Sequence, residues 1–199
     1  MATHGASRGP RSPLVIDITR LGRRPGSMRT LHETVPAPRR IGVELLGIAQ
    51  GAELDLDLRL ESVSEGVLVT GTVSSPTSGE CARCLTPLTG HVDVDITELF
   101  AYPGSDTEAT TEEGEVGHVF SDREGDGIDL EQTIVDAVGL ALPFSPLCRD
   151  DCPGLCPECG VPLATAEPDH HHDVIDPRWA KLSKLVPPEQ VPDGSGDHS

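Results

Sequence analysis

The placement of the six cysteines constrains this chain more than any other feature. Cys148, Cys152, Cys156 and Cys159 all fall between Leu147 and Gly160, and Cys81 and Cys84 form a separate C-x-x-C earlier in the chain. A two-residue spacer lets both sulfurs of a C-x-x-C reach one ion at about 2.3 Å. In Cys156-Pro157-Glu158-Cys159-Gly160 the proline and glycine bend the backbone so that its amides can face the thiolates, as in a zinc knuckle. With His170 and His172 the candidate ligands suffice for two tetrahedral zinc ions. One arrangement joins Cys81, Cys84, Cys148 and Cys152 in a first site and Cys156, Cys159, His170 and His172 in a second. A single ion held by Cys148, Cys152, Cys156 and Cys159, with Cys81 and Cys84 spare, is the simpler alternative. A swapped pairing of Cys81 and Cys84 with Cys156 and Cys159 is also open. His170-His171-His172 reads equally as a solvated surface run.

The N-terminal arginines are not followed by an apolar stretch, and no apolar run approaches the roughly 18 residues of a membrane span. The expected compartment is the cytoplasm, where thiols stay reduced and favour metal over disulfides. Apolar residues make up 36% of the chain and aromatics 3%, so metal is expected to add stability that a modest core does not supply. Charge is uneven. Residues 1–40 carry eight arginines and two acidic residues, a net of +6, whereas residues 41–199 carry seven Lys/Arg and 31 Asp/Glu, a net of −24. A body so acidic repels phosphate, which argues against a free-standing nucleic-acid binder and for a basic protein partner. The same charge also serves solubility. The N-terminal arginines suit either pairing with the acidic body or contact with RNA phosphates, with a local patch of Arg149, Arg178, Lys181 and Lys184 as the alternative RNA site. No aromatics interleave the N-terminal arginines, so base stacking is not indicated.

The period of the apolar residues predicts an α+β fold. Leu54, Leu56, Leu58 and Leu60 alternate with charged residues, and Val67, Val69 and Val73 repeat the pattern after a turn at Ser64–Gly66. Val92, Val94 and Ile96 form a further strand, which puts Cys81–Cys84 on a β-turn between two strands, made by Pro76–Gly79 and Pro87. Leu14–Ile18 and Ile41–Ile48 are weaker strand candidates, and Pro36 and Pro38 bracket a linker. Leu130, Ile134, Val138 and Leu142 form a helical stripe widened by Ala137 and Ala141, with Asp129 as N-cap, Gln132 in a capping box and Pro143 as the stop. The expected architecture is an antiparallel sheet of roughly five strands, or a partial β-barrel, with one packing helix and a zinc-binding Cys-rich C-terminal segment. Residues 1–12 and 186–199 read as disordered, 13–185 as the domain, 103–127 as an acidic flexible loop and 147–173 as the metal-binding segment. A short helix is expected over Asp176–Leu185, with Trp179, Leu182 and Leu185 on one face.

No nucleophile elbow, phosphate-binding glycine loop or H-E-x-x-H occurs, and four cysteines around an ion leave no open position for catalysis. A thiol oxidoreductase is disfavoured because neither C-x-x-C caps a helix after a strand. No enzymatic activity and no small-molecule substrate are therefore expected.

Cys81-Ala-Arg-Cys84-Leu85, then Leu140-Ala-Leu-Pro143, then the cysteine block Leu147–Gly160, then Asp176-Pro-Arg-Trp-Ala-Lys-Leu182 resemble the YceD family of bacterial proteins. Leu21-Gly-Arg-Arg-Pro-Gly-Ser27 resembles its actinobacterial branch. The resemblance implies a part in accumulation of 23S ribosomal RNA, through its synthesis, processing or stability, with a basic ribosomal protein or a pre-large-subunit particle as partner. It implies no catalytic residues. Relatives carry Cys-x-Cys near the place of His170-His171-His172, a departure that keeps the ligand types suitable for zinc. The runner-up class is a zinc-ribbon interaction module of another nucleic-acid machine, such as the transcription apparatus.

Overall fold

The computed structural model describes residues 12–107, 116–122 and 125–172. The chain divides after Gly154 into two compact units. The expected disordered ends fall largely, and the Asp176–Leu185 helix wholly, outside the described residues, as do Arg178, Lys181 and Lys184.

The first unit is built on three long strands. Apolar residues at every second position put one face of each strand in the core and the other in water. In β5 (Glu53–Ser62), Leu54, Leu56, Leu58 and Leu60 are buried, while Glu53, Asp55, Asp57 and Arg59 face solvent. β6 (Gly66–Glu80) pairs antiparallel with β5 on one side and, over fifteen residues, with β7 (Pro87–Ala101) on the other. Val67, Val69 and Val73 of β6 and Val92, Val94 and Ile96 of β7 fill the same buried face. Pro76–Gly79 and Pro87, expected in the turn, are strand. Small polar side chains hide the alternation there: Ser75 and Thr77 take the inward positions, and the Ser75 hydroxyl donates to the Glu53 carbonyl at 2.8 Å. Pro76 lies between Ser74, the last residue paired with β5, and Ser78, which pairs with Gly47, so its missing N–H costs no bond on that side.

One further strand runs up to the linker expected between Pro36 and Pro38. β2 (Met28–Pro36) pairs along its whole length with β5 and forms an edge. Its inward positions are Arg29, Leu31, Glu33 and Val35, and only Leu31 is fully buried, so the period-two signal is too weak to read. The Ile41–Ile48 candidate is a short hairpin, β3 (Ile41–Gly42) and β4 (Leu46–Ile48), with β4 continuing onto β6. The acidic stretch 103–127 is likewise not all loop. It contributes β8 (Gly117–His118), parallel to β7, and β9 (Phe120–Asp122), and it enters β10 (Gly125–Asp129). Buried Val119 and Ile128 anchor these strands among glycines and acids that masked them. β10 pairs with β9 and with β1 (Val15–Asp17), so a second, three-stranded sheet stands beside the seven-stranded one. Neither sheet closes into a barrel: the larger has β2 and β3 at one side and β8 at the other.

Helix α1 (Glu131–Ala141) packs against β7 and β3. Its stripe of Leu130, Ile134, Val138 and Leu142 is buried, whereas Ala141 is exposed and does not widen it. Asp129 sits one residue before the N-cap position, Leu130, and still accepts the Glu131 N–H at 2.9 Å. Gln132 does not reach back to form a capping box; its amide donates to Asp136 one turn on, at 2.8 Å.

Candidate metal centres

β6 and β7 are joined by a tight turn that holds the first C-x-x-C. The Cys81 N–H donates to the Thr86 carbonyl and the Leu85 N–H to the Cys81 carbonyl, both at 2.9 Å. In the second unit the Cys156 N–H donates to the Val161 carbonyl at 2.8 Å, and the Gly160 N–H to the Cys156 carbonyl at 2.9 Å. Counted from the first cysteine the two patterns are the same, so the two knuckles are built alike. Each needs a left-handed residue after its second cysteine. Gly160 (φ +72°) supplies it in one, and Leu85 (φ +58°) in the other.

After α1 and Pro143 the chain returns to the first knuckle, where the Ala82 N–H donates to the Pro146 carbonyl at 2.8 Å. This sets Cys148 and Cys152 beside Cys81 and Cys84. The Cys84 and Cys148 sulfurs are 3.6 Å apart, and those of Cys81 and Cys152 are 3.8 Å apart. All four sulfurs lie within 4.8 Å of one another. Tetrahedral Zn–S bonds of about 2.3 Å place sulfurs ~3.8 Å apart, so the group fits one tetrahedral ion. Cys81 and Cys152 are buried and Cys148 is exposed.

The four thiols of the first group differ in acidity. Burial opposes charge on Cys81, but the N–H groups of Arg83, Cys148 and Cys84 point at its sulfur and bring the thiol down to about 6. The Thr86 hydroxyl, 3.1 Å from the Cys84 sulfur, holds that thiol below its ordinary value. Burial raises Cys152, and the sulfur of Cys152 beside Cys148 pushes Cys148 up to about 12. Like charges this close do not ionise together without a cation.

The second unit gathers Cys156, Cys159, His170 and His172, again with ligand atoms within 4.8 Å. The Cys159 sulfur is 3.5 Å from His170 Nε2 and 3.3 Å from His172 Nε2, and the two Nε2 atoms are 3.1 Å apart. His171 turns away, its Nδ1 2.7 Å from the Asp169 carbonyl. The Cys159 N–H, then the His170 ring, then the Glu158 N–H bring the Cys156 thiol down to about 6. Of the sequence alternatives, these distances select the pairing of Cys81, Cys84, Cys148 and Cys152 in one group and Cys156, Cys159, His170 and His172 in the other. Both groups could hold a metal ion.

Three supporting residues escaped the sequence reading. The Arg83 guanidinium donates to the Cys152 carbonyl at 2.9 Å, locking one pair of cysteines to the other. Thr86 orients Cys84. Gly154 (φ +82°) brings the chain past the Arg83 carbonyl, which a Cβ would approach to 3.2 Å. The only visible signal was position: an arginine inside the C-x-x-C and a threonine just after it.

Much of the N-terminal arginine charge is engaged within the unit. Arg23 pairs with Asp126 at 3.0 Å and lies over the Tyr102 ring, and Arg39 pairs with Glu131 at 2.6 Å. Arg29 donates to the Asp17 carbonyl, and Arg40 to the carbonyls of Val43 and Glu44. Arg149, from the alternative basic patch, pairs with Asp151 at 3.3 Å.

Residues 69–186 match the family described as large ribosomal RNA subunit accumulation protein YceD. The match spans both knuckles and more than half of the chain. The chain belongs to the YceD family. Uncharacterized proteins of Mycobacterium tuberculosis and Mycobacterium bovis are 66% identical to it over 188 residues, covering 94% of this chain and 88% of theirs. One of Mycobacterium leprae is 60% identical over 179 residues, covering 89% and 80%. No solved structure matches. The YceD description names a role in accumulation of large-subunit ribosomal RNA. Among the described residues no helix is long and apolar enough to cross a membrane.

Proposed function

We propose that this YceD protein is a zinc-stabilised, non-enzymatic accessory factor of large-subunit biogenesis. It raises accumulation of 23S ribosomal RNA by binding a basic large-subunit protein or a precursor particle in the cytoplasm. The observation that carries this reading is the family match across both knuckles. Thiolate-rich tetrahedral donor sets favour zinc among the common divalent ions. Cys81, Cys84, Cys148 and Cys152 would hold one ion, and Cys156, Cys159, His170 and His172 a second. With all four positions filled by protein, the ions have no place for a substrate and serve the fold. The solvent faces of β5 and β7 carry Asp55, Asp57, Asp93 and Asp95 and suit a basic partner.

Depletion in growing cells tests it. The ratio of 23S to 16S ribosomal RNA is expected to fall, and the wild-type chain is expected to restore it. A ratio unchanged by depletion would contradict the proposed role.

A further inference from the structure

Between the end of α1 and the start of β7, beside the first knuckle, the first unit has a groove of about 470 Å³. Leu46, Leu88, Val92, Leu142, Pro146 and Leu147 make its apolar lining. The segment that forms one wall carries Phe144, which is 81% exposed, and the last turn of α1 carries Leu140, 88% exposed. The chain has three phenylalanines; Phe100 is in the core, and Phe144 is given to solvent. Apolar side chains grouped at a concave surface mark a contact site, where scattered ones do not.

Little charge lines this groove. Among the described residues lining it, Asp93 is the one carboxylate, and no lysine or arginine takes part. His91, also in the lining, stands 3.6 Å from Asp93. The last turn of α1 holds no basic residue to offset the negative end of the helix dipole. An occupant must therefore bring apolar side chains and positive charge together.

We infer that this groove docks a basic amphipathic segment of another protein, with a leucine, isoleucine or phenylalanine in the pocket and flanking Lys/Arg on Asp93 and the helix end. The inference rests on the proposed role in large-subunit biogenesis and names the surface through which the basic partner is held. The apolar anchor supplies dwell time, and the charges select against acidic partners and nucleic acid.

A photo-crosslinking amino acid placed at Phe144 of the full chain in growing cells tests the docking, with the same probe at exposed Thr97 as control. The expected result is a crosslink absent from the control. It should join a basic protein at an apolar residue flanked by Lys/Arg. With the probe moved to Leu140, Phe144→Ser is expected to cut the yield at least tenfold while the melting temperature stays unchanged. A crosslink to RNA, to an acidic protein, to a second copy or to residues 173–199 of the same chain would overturn the inference, as would no crosslink above control. Ribosomal RNA separates the two failures. If Phe144→Ser restores 23S levels in depleted cells as well as wild type does, the groove is rejected and the biogenesis role stands. If depletion leaves 23S levels unchanged, the role falls, and the crosslink alone judges the groove.

Discussion

Gly160 and Leu85 occupy the same position in two like-built knuckles, and only one of them is suited to it. A left-handed conformation costs an L-residue roughly 1–2 kcal/mol. Gly160→Ala is expected to weaken metal binding by the second group and leave the first intact, read by metal titration followed by mass spectrometry. Leu85→Gly is expected to keep the first group's metal, because it relieves that conformation. Loss of metal from the first group in Leu85→Gly would show that the knuckle geometry is misassigned. A second residue-level effect concerns acid. The Ser121 hydroxyl and then Arg23 hold the Asp126 carboxyl below its usual range. A carboxyl with a depressed folded pKa adds stability above its unfolded value of about 4 and loses it as the pH falls through the folded value. Asp126→Asn is thus expected to be less stable than wild type at pH 7, with the difference vanishing in acid, as measured by denaturant melts across pH. A pH-independent difference would refute this origin.

At the scale of elements, what the sequence showed and what it hid follow from the strength of the alternation. β5, β6, β7 and α1 were legible because large aliphatic residues repeat on one face. β2 was not, because Arg29 and Glu33 occupy inward positions of an edge strand that leaves them solvated. The far half of β6 was hidden by Ser75 and Thr77, whose burial is satisfied by hydrogen bonding instead of greasy packing. The candidate ligands were legible from spacing, and the grouping seen was one of those the spacing allowed, but choosing among them depends on where α1 returns the chain. That return rests on Ile134 and Val138, both fully buried. Ile134→Ala is expected to destabilise the first unit by about 2–5 kcal/mol in denaturant unfolding. A cost below about 1 kcal/mol would mean that the helix is not held by its stripe. Gly71→Ala should be damaging for another reason: its Cβ would lie 2.1 Å from the Asp57 carbonyl oxygen at the centre of the β5–β6 ladder.

On the scale of the whole molecule, the positive N-terminal segment is not a detachable arm. Leu14, Ile16 and Leu31 are core residues, and β1 and β2 belong one to each sheet. Removing residues 1–40 would take core residues and two strands with it, so any RNA affinity is better probed by charge substitution. Arg20→Ser with Arg24→Ser, both exposed, is expected to abolish residual RNA binding at ~0.15 M salt without changing the melting temperature. Undiminished binding would place RNA elsewhere. The central claim is that two metal centres, one tying the β6–β7 turn to the segment after α1 and one within the C-terminal unit, hold this YceD protein in its working shape. Native mass spectrometry of the freshly purified full chain tests it most directly. Two zinc ions per wild-type chain are expected, with one retained in Cys84→Ser and one in His172→Ala. A single ion in the wild type that survives Cys84→Ser would contradict the account.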